Sequence, residues 1–177
     1  LLLDSGLTAP VMLTSEVCSR LQLPLGGSNG LGPGIGSTGS VMDMLPVRLD
    51  GASLMAGLDS TPALPLDPMA GVVVDNFPQL AIGREIDISL DGMLGQGFMA
   101  QYDLELDPIA GRLRAWRPGS LPEEQGGGWR LLEGLGMPGR LQGLLLSVPG
   151  CLEPVVGIVD TGASHTVVNR RAAYVLG

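Results

Sequence analysis

The chain has 177 residues, a formal net charge of −8, 28 glycines and 14 prolines, and only 3% of it is aromatic. That length suits one ordinary domain or one and a fraction, and so much glycine and proline favours a turn-rich, β-rich fold over a helical bundle. The basic residues are all arginine; an acidic chain without a basic patch is a poor partner for nucleic acid or an anionic membrane, and no apolar run reaches the roughly 18 residues of a membrane-spanning helix.

In chain order, Leu1 to Leu3 read as a buried strand that runs into Asp4-Ser5-Gly6. Val11-Met12-Leu13 is apolar, and Thr14 can cap a short helix from Ser15 to Leu21 or Leu23, ended by Pro24 and Gly26-Gly27. Residues 26–39 are glycine-rich, lack a core pattern and read as a mobile loop. Within them, Gly34-Ile35-Gly36-Ser37-Thr38-Gly39 matches the dinucleotide fingerprint literally. The match is rejected, because no strand leads into it and a strand, not a helix, follows. A P-loop is excluded because it needs a lysine.

Residues 41–49 read as a strand, turned at Asp50-Gly51 and followed by Ser53-Leu54-Met55. Gly71 to Asp75 read as a buried strand stopped by Asn76-Phe77-Pro78, and Met93-Leu94-Gly95 forms a compact apolar element with close backbone approach. Residues 102–107 alternate strictly and pair with 112–116 as a hairpin. From Arg117 to Gly128 the chain reads as linker. Two strands, 141–148 and 153–160, then deliver it into Asp160-Thr161-Gly162. Val167-Val168 is apolar, and Asn169 can cap a helix from Arg170 to Leu176.

Asp4 and Asp160 therefore lie in matching contexts, each an apolar strand followed by Asp, a hydroxyl residue and Gly. A carboxylate at the end of a buried strand is expensive to keep ionised alone, so the duplication points to a repeated unit and a pair of carboxylates with one task. The plain alternative is two turn or helix-capping aspartates in an ordinary β domain. His165, the only histidine, has no second ligand near it in sequence and reads as a surface or satisfied side chain. Cys18 and Cys151 give neither a disulfide framework nor metal spacing and read as ordinary thiols. The acids Glu85, Asp87 and Asp91 lack the spacing of a calcium loop. Trp116 and Trp129 read as packing residues. No cofactor and no metal are expected.

These residues resemble the retropepsin-type aspartic proteases, and more narrowly the retropepsin-like proteins of plants, algae and cyanobacteria, some of which carry two units in tandem. In that family an apolar strand, an Asp-Thr/Ser-Gly loop, a short helix, a flap hairpin, a ψ-shaped loop of two apolar residues and Gly, and a further hairpin follow one another. Here Asp4-Ser5-Gly6, the stretch 26–49, Met93-Leu94-Gly95 and the hairpin 102–116 fall in that order. The resemblance implies an all-β acid-protease fold, a closed β-barrel lobe with short helices. It implies a first lobe at residues 1–117 lacking its N-terminal hairpin, a Gly/Pro-rich linker at 118–139, and at 140–177 the start of a second, truncated lobe. A second possibility is that 140–177 complete the missing hairpin of the first lobe. Departures are Leu7, where the family usually has Ala or Ser, and the absence of a flap and a Met-Leu-Gly partner in the second unit.

By the same resemblance the activity is that of an aspartic endopeptidase. Asp4 and Asp160 are the catalytic pair, supported by Ser5, Gly6, Thr161, Gly162 and Ser164, with the Ser5 and Thr161 hydroxyls bonding across to lock the loops. Its partner is a peptide or protein substrate, and the active form is a homodimer or an intramolecular pseudodimer. The alternative is a non-catalytic module of the same fold that binds peptide or dimerises. Location stays open; the resemblance alone points to an intracellular or plastid setting. Leu1 is not Met and already lies in a strand, and Ala172 to Gly177 stop at a helix end, so the expectation is a piece of a longer protein. Whether Asp4 and Asp160 share one site or each pairs with a partner chain is open at the level of sequence.

Overall fold

The computed structural model describes residues 1–26, 33–35, 41–56, 61–75, 89–122, 130, 132–151 and 153–177. In chain order its elements are β1 (Leu2–Leu3), β2 (Val11–Leu13), α1 (Ser15–Arg20), β3 (Pro33–Ile35), β4 (Val41–Asp43), β5 (Leu45–Leu49), β6 (Ser53–Ala56), β7 (Thr61–Pro65), β8 (Met69–Val73) and β9 (Gly92–Leu94). There follow α2 (Gln96–Met99), β10 (Asp103–Asp107), β11 (Arg112–Trp116), β12 (Leu135–Gly136), a 3₁₀ turn (Pro138–Arg140), β13 (Gln142–Leu146), β14 (Val155–Ile158) and α3 (Arg170–Leu176). The chain is thus mostly β-sheet with a few short helices. Among the described residues, no helix is long and apolar enough to cross a membrane.

The helix starts follow the sequence closely. The Thr14 hydroxyl accepts from Val17 N–H at 3.3 Å, and Asn169 Oδ1 accepts from Ala172 N–H at 2.8 Å. Each satisfies one of the backbone donors that a helix start leaves over. The end of α1 comes sooner than Pro24. Gln22 turns left-handed at φ 53°, while Leu23 N–H bonds back to Cys18 O at 2.9 Å and Gln22 N–H to Ser19 O at 3.2 Å. That pairing is a Schellman stop, here built without glycine.

The main sheet has five strands in the order β1-β9-β2-β8-β5. Strand β9 is inserted between β1 and β2, which are neighbours in sequence. It runs parallel to β1, with Leu3 opposite Leu94, and antiparallel to β2, with Met12 opposite Met93. The loop from Asp4 to Pro10 therefore has to arch over the end of β9. The central strands are buried on both faces and read as apolar runs, as such strands must. Val11, Leu13, Val17, Cys18, Val47, Val73, Leu94 and Phe98 form the core on one side, and Met12, Val72, Val74 and Met93 a smaller cluster on the other. Leu1, expected inside a buried strand, is 54% exposed, because β1 is a two-residue edge strand.

The expected closed barrel is not formed among the described residues. Closure needs the two edges of a sheet to pair in a staggered register, and here β1 and β5 end the sheet separately. Outside β5 there is one isolated bridge, Leu25 to Val47, and Pro46 brings no N–H to extend it. The pairs β3–β4, β6–β7 and β10–β11 stand as separate two-stranded ladders. The strand expected over 41–49 is two strands, β4 and β5, which belong to different sheets.

The sequence after residue 130 forms a three-stranded sheet in the order β12-β13-β14. Strand β12 falls in the stretch expected to be linker, and its Leu135 lies opposite Gly143. Most of the glycine-rich loop 26–39, Phe77 with Pro78, the acids Glu85 and Asp87, the linker residues 123–129 and Trp129 lie outside the described residues.

Candidate active site

Each aspartate sits just past the end of a strand, in a loop that turns back on its own carboxylate. Asp4 Oδ1 accepts from Gly6 N–H at 2.8 Å and from Leu7 N–H at 3.1 Å. Asp160 Oδ1 accepts from Gly162 N–H at 2.9 Å. This is the Asp-turn geometry that the short carboxylate side chain favours.

The hydroxyl residues then tie one loop to the other. Ser5 N–H donates to Thr161 Oγ1 at 3.0 Å, and Thr161 N–H donates to Ser5 Oγ at 2.9 Å. Ser5 Oγ–H donates to Val159 O at 2.8 Å, and Thr161 Oγ1–H donates to Leu3 O at 2.9 Å. Each hydroxyl accepts from the opposite loop and donates to the strand that leads into it, so the four bonds are reciprocal about an approximate two-fold axis. Residues 156 positions apart in sequence are locked together in this way.

The lock brings the carboxyl groups face to face. They are close enough for Asp160 to push the Asp4 pKa up. Each motif glycine lies against the opposite carboxylate. A Cβ at Gly6 would stand 2.8 Å from Asp160 Cγ, and one at Gly162 would stand 2.5 Å from Asp4 Cγ. A side chain at either place would have to displace the opposite carboxylate. Asp4 and Asp160 thus meet within this one chain.

The pair is asymmetric. Asp4 is buried, at 6% exposure, whereas Asp160 is exposed. Burial holds the Asp4 pKa above its ordinary value, and the charge of Asp160 and the hydrogen bond to it push the same way, against the lowering effect of the Gly6 and Leu7 N–H groups. The support is uneven as well. Asp4 N–H donates to Leu94 O at 2.9 Å, Gly95 N–H to Pro10 O at 3.0 Å, and Gln96 N–H to Leu7 O at 2.7 Å. Leu94 and Gly95, both buried, therefore act on the site through the backbone. The Asp160 loop has the lock, and a bond from Val159 N–H to Gln142 O at 3.0 Å.

One expected participant stands apart. Ser164 is exposed and bonds to His165 Nδ1 at 2.8 Å, taking no part in the lock. Cys18 is buried and Cys151 half-buried, and both are free thiols. Among the described residues, no group of three or more His, Cys, Asp or Glu side chains could hold a metal ion.

One residue was missed from sequence. Gln96, directly after Met93-Leu94-Gly95, is 6% exposed, and its Nε2–H donates to Ser5 O at 2.8 Å. A cleft of about 300 Å³ lies beside the lock, lined by Leu3, Ser5, Gln96, Tyr102, Val159 and Thr161 among others. Asp4 and Asp160 are not among its lining residues. No protein-family model matches the chain, and neither a curated protein nor a solved structure matches it.

Proposed function

We propose that the chain is an aspartic endopeptidase of retropepsin type, with Asp4 and Asp160 as its catalytic pair. The observation that carries this reading is the pair of carboxyl groups brought together across two interlocked Asp-hydroxyl-Gly loops, each motif glycine lying against the opposite carboxylate. Carboxylates in such contact cannot both ionise, so they share one proton and split into a base and an acid at a single pH. The ionised partner takes a proton from a water held between them as that water attacks the peptide carbonyl. The protonated partner donates to the carbonyl oxygen and then assists departure of the amine. The finer fold assignment, an acid-protease lobe followed by part of a second, belongs to the same proposal. It is supported by the insertion of β9 between β1 and β2 and by the two capped helices that follow the two Asp loops.

The test is cleavage of a peptide library followed by mass spectrometry. Asp4→Asn and Asp160→Asn each lower kcat/KM by at least about 10²-fold, the range for losing a general acid or base, and pepstatin inhibits the native protein. A rival reading, a non-catalytic binding or dimerisation module of the same fold, draws on the exposed apolar residues Leu145, Leu146, Val156 and Ile158 of the last sheet. Peptide binding that is untouched by either Asn substitution and by pepstatin, with no cleavage, favours that rival.

A further inference from the structure

Gln96 has a role that the Asp-hydroxyl-Gly pattern does not contain. A buried primary amide needs partners for its donors, and this one directs Nε2 at the Ser5 carbonyl, 91 positions away in sequence. The other atom of that amide could not take the place, because two carbonyl oxygens would then oppose each other. The Ser5 carbonyl and the Gly6 N–H belong to one peptide unit, and that N–H is the shorter of the two bonds to Asp4 Oδ1. The three groups form a chain: Gln96 Nε2–H to Ser5 C=O, through the peptide bond to Gly6 N–H, and on to the Asp4 carboxylate.

Hydrogen bonds in such a chain polarise one another. Donation to the Ser5 oxygen draws electron density from the peptide nitrogen and makes the Gly6 N–H a stronger donor. A stronger donor favours the ionised form of Asp4. We infer that Gln96 is a positioning residue for the Asp4 carboxylate, acting through the Ser5–Gly6 peptide to keep Asp4 able to ionise in a buried place. The inference rests on the reading of Asp4 as half of a catalytic dyad, but its effect on Asp4 titration does not depend on catalysis.

Few other charges bear on Asp4. Asp160 faces it from the opposite loop. Strands β1, β2 and β9 and helix α2 carry no charged side chain. The 3₁₀ turn 138–140, which packs near α2, carries Arg140, and that residue is exposed. Among the described residues, a change in Asp4 titration on altering Gln96 therefore has no charged intermediary to explain it.

The experiment compares native protein, Gln96→Met and Gln96→Glu, with the Asp4 carboxyl ¹³C resonance followed against pH in the Asp160→Asn background, where Asp4 titrates without its partner. Gln96→Met keeps the length and removes the donor. The Asp4 midpoint is expected to move up, and in the protein with both aspartates kcat falls roughly tenfold with KM nearly unchanged, the pattern of a group that matters in the transition state. Gln96→Glu keeps the shape should the apolar variant fail to fold. Its carboxyl donates only while protonated, so its kcat approaches the native value at acid pH and falls away from it as pH rises. An Asp4 midpoint unchanged in folded Gln96→Met, or a Gln96→Glu protein whose kcat keeps a constant ratio to native at every pH, overturns the inference. If no cleavage occurs in any variant but the Asp4 midpoint still moves, the protease reading falls and the relay stands.

Discussion

At the scale of the residue, Asp4 is held in conflict with its surroundings. Its folded pKa lies above the ordinary 3.8 because of burial first and Asp160 second. Between 3.8 and that raised value the folded chain binds more protons than the unfolded chain. Stability linked to Asp4 is therefore complete below 3.8 and is lost as pH rises through the folded pKa. Asp4→Asn removes the ionisation and keeps an Oδ1 acceptor for the Gly6 and Leu7 N–H groups. At neutral pH its Tm should exceed that of the native protein by a few degrees, since about 1 kcal/mol moves a chain of this size by roughly 2–4 °C. The gap should close toward pH 3.8. Calorimetry across that range checks it, and a gap that widens as pH falls opposes it. Gain in stability with loss of function at one residue is what a strained functional site predicts.

Residues of this kind differ in how far sequence reveals them. Asp4 and Asp160 were legible because the chemistry repeats the same three residue types after the same kind of strand. The hydroxyls of Ser5 and Thr161 were legible for the same reason. Gln96 was not, because its importance lies in a carbonyl 91 positions away, and nothing local distinguishes it from an exposed glutamine. Ser164 was expected to support the motif, yet its hydroxyl turns to His165, a choice that residue type alone does not determine.

At the scale of the element, the insertion of β9 between β1 and β2 organises the site. It puts the Leu94 carbonyl under Asp4 and starts α2 beside the Asp loop. Phe98 on α2 is fully buried and stacks at a tilt on Tyr102, 5.3 Å between ring centres. Phe98→Ala should destabilise the protein by about 3–5 kcal/mol, the usual loss for deleting a buried aromatic side chain. Urea unfolding measures this, and a loss under about 1 kcal/mol would show that α2 is not anchored by this ring. Caps and strands were well read at this scale, because Thr14, Asn169 and the alternation from 103 to 107 are local signals. The short α1 was read too long, since the Schellman stop at Gln22 uses a residue that does not advertise a left-handed turn.

The two Asp units also differ in what surrounds them. After the first loop, Val11 to Leu13 are buried between β8 and β9. After the second, Val167 and Val168 are 86% and 53% exposed, and among the described residues no strand flanks them. Helix α1 buries Val17 and Cys18, whereas α3 buries no residue. Equivalent sequence thus gives unequal burial, because burial of a strand depends on its neighbours and not on its own pattern. The closed barrel was expected and is not formed among the described residues for a related reason, as closure depends on whether two distant edges meet.

At the scale of the whole molecule, the reciprocal lock joins residues 1–7 to residues 158–162 and makes one site from two ends of the chain. Thr161→Val removes an acceptor from Ser5 N–H and a donor to Leu3 O. It should cost about 1–3 kcal/mol, the penalty for leaving such groups unpaired. Combined with Ser5→Ala, the two losses should fall short of additive by roughly 0.5–3 kcal/mol, since both changes dismantle one network. Strict additivity in a double-mutant cycle would mean that the loops are held by something else.

The central claim is that Asp4 and Asp160 form a single dyad within one chain. Mixing the two single variants, Asp4→Asn and Asp160→Asn, in equal amounts tests it most directly, with peptide cleavage measured for each alone, for the mixture and for the native protein. The account predicts that both variants are inactive and that the mixture stays inactive, because every chain then carries a broken pair. Activity in either variant alone, or activity recovered on mixing, would contradict it.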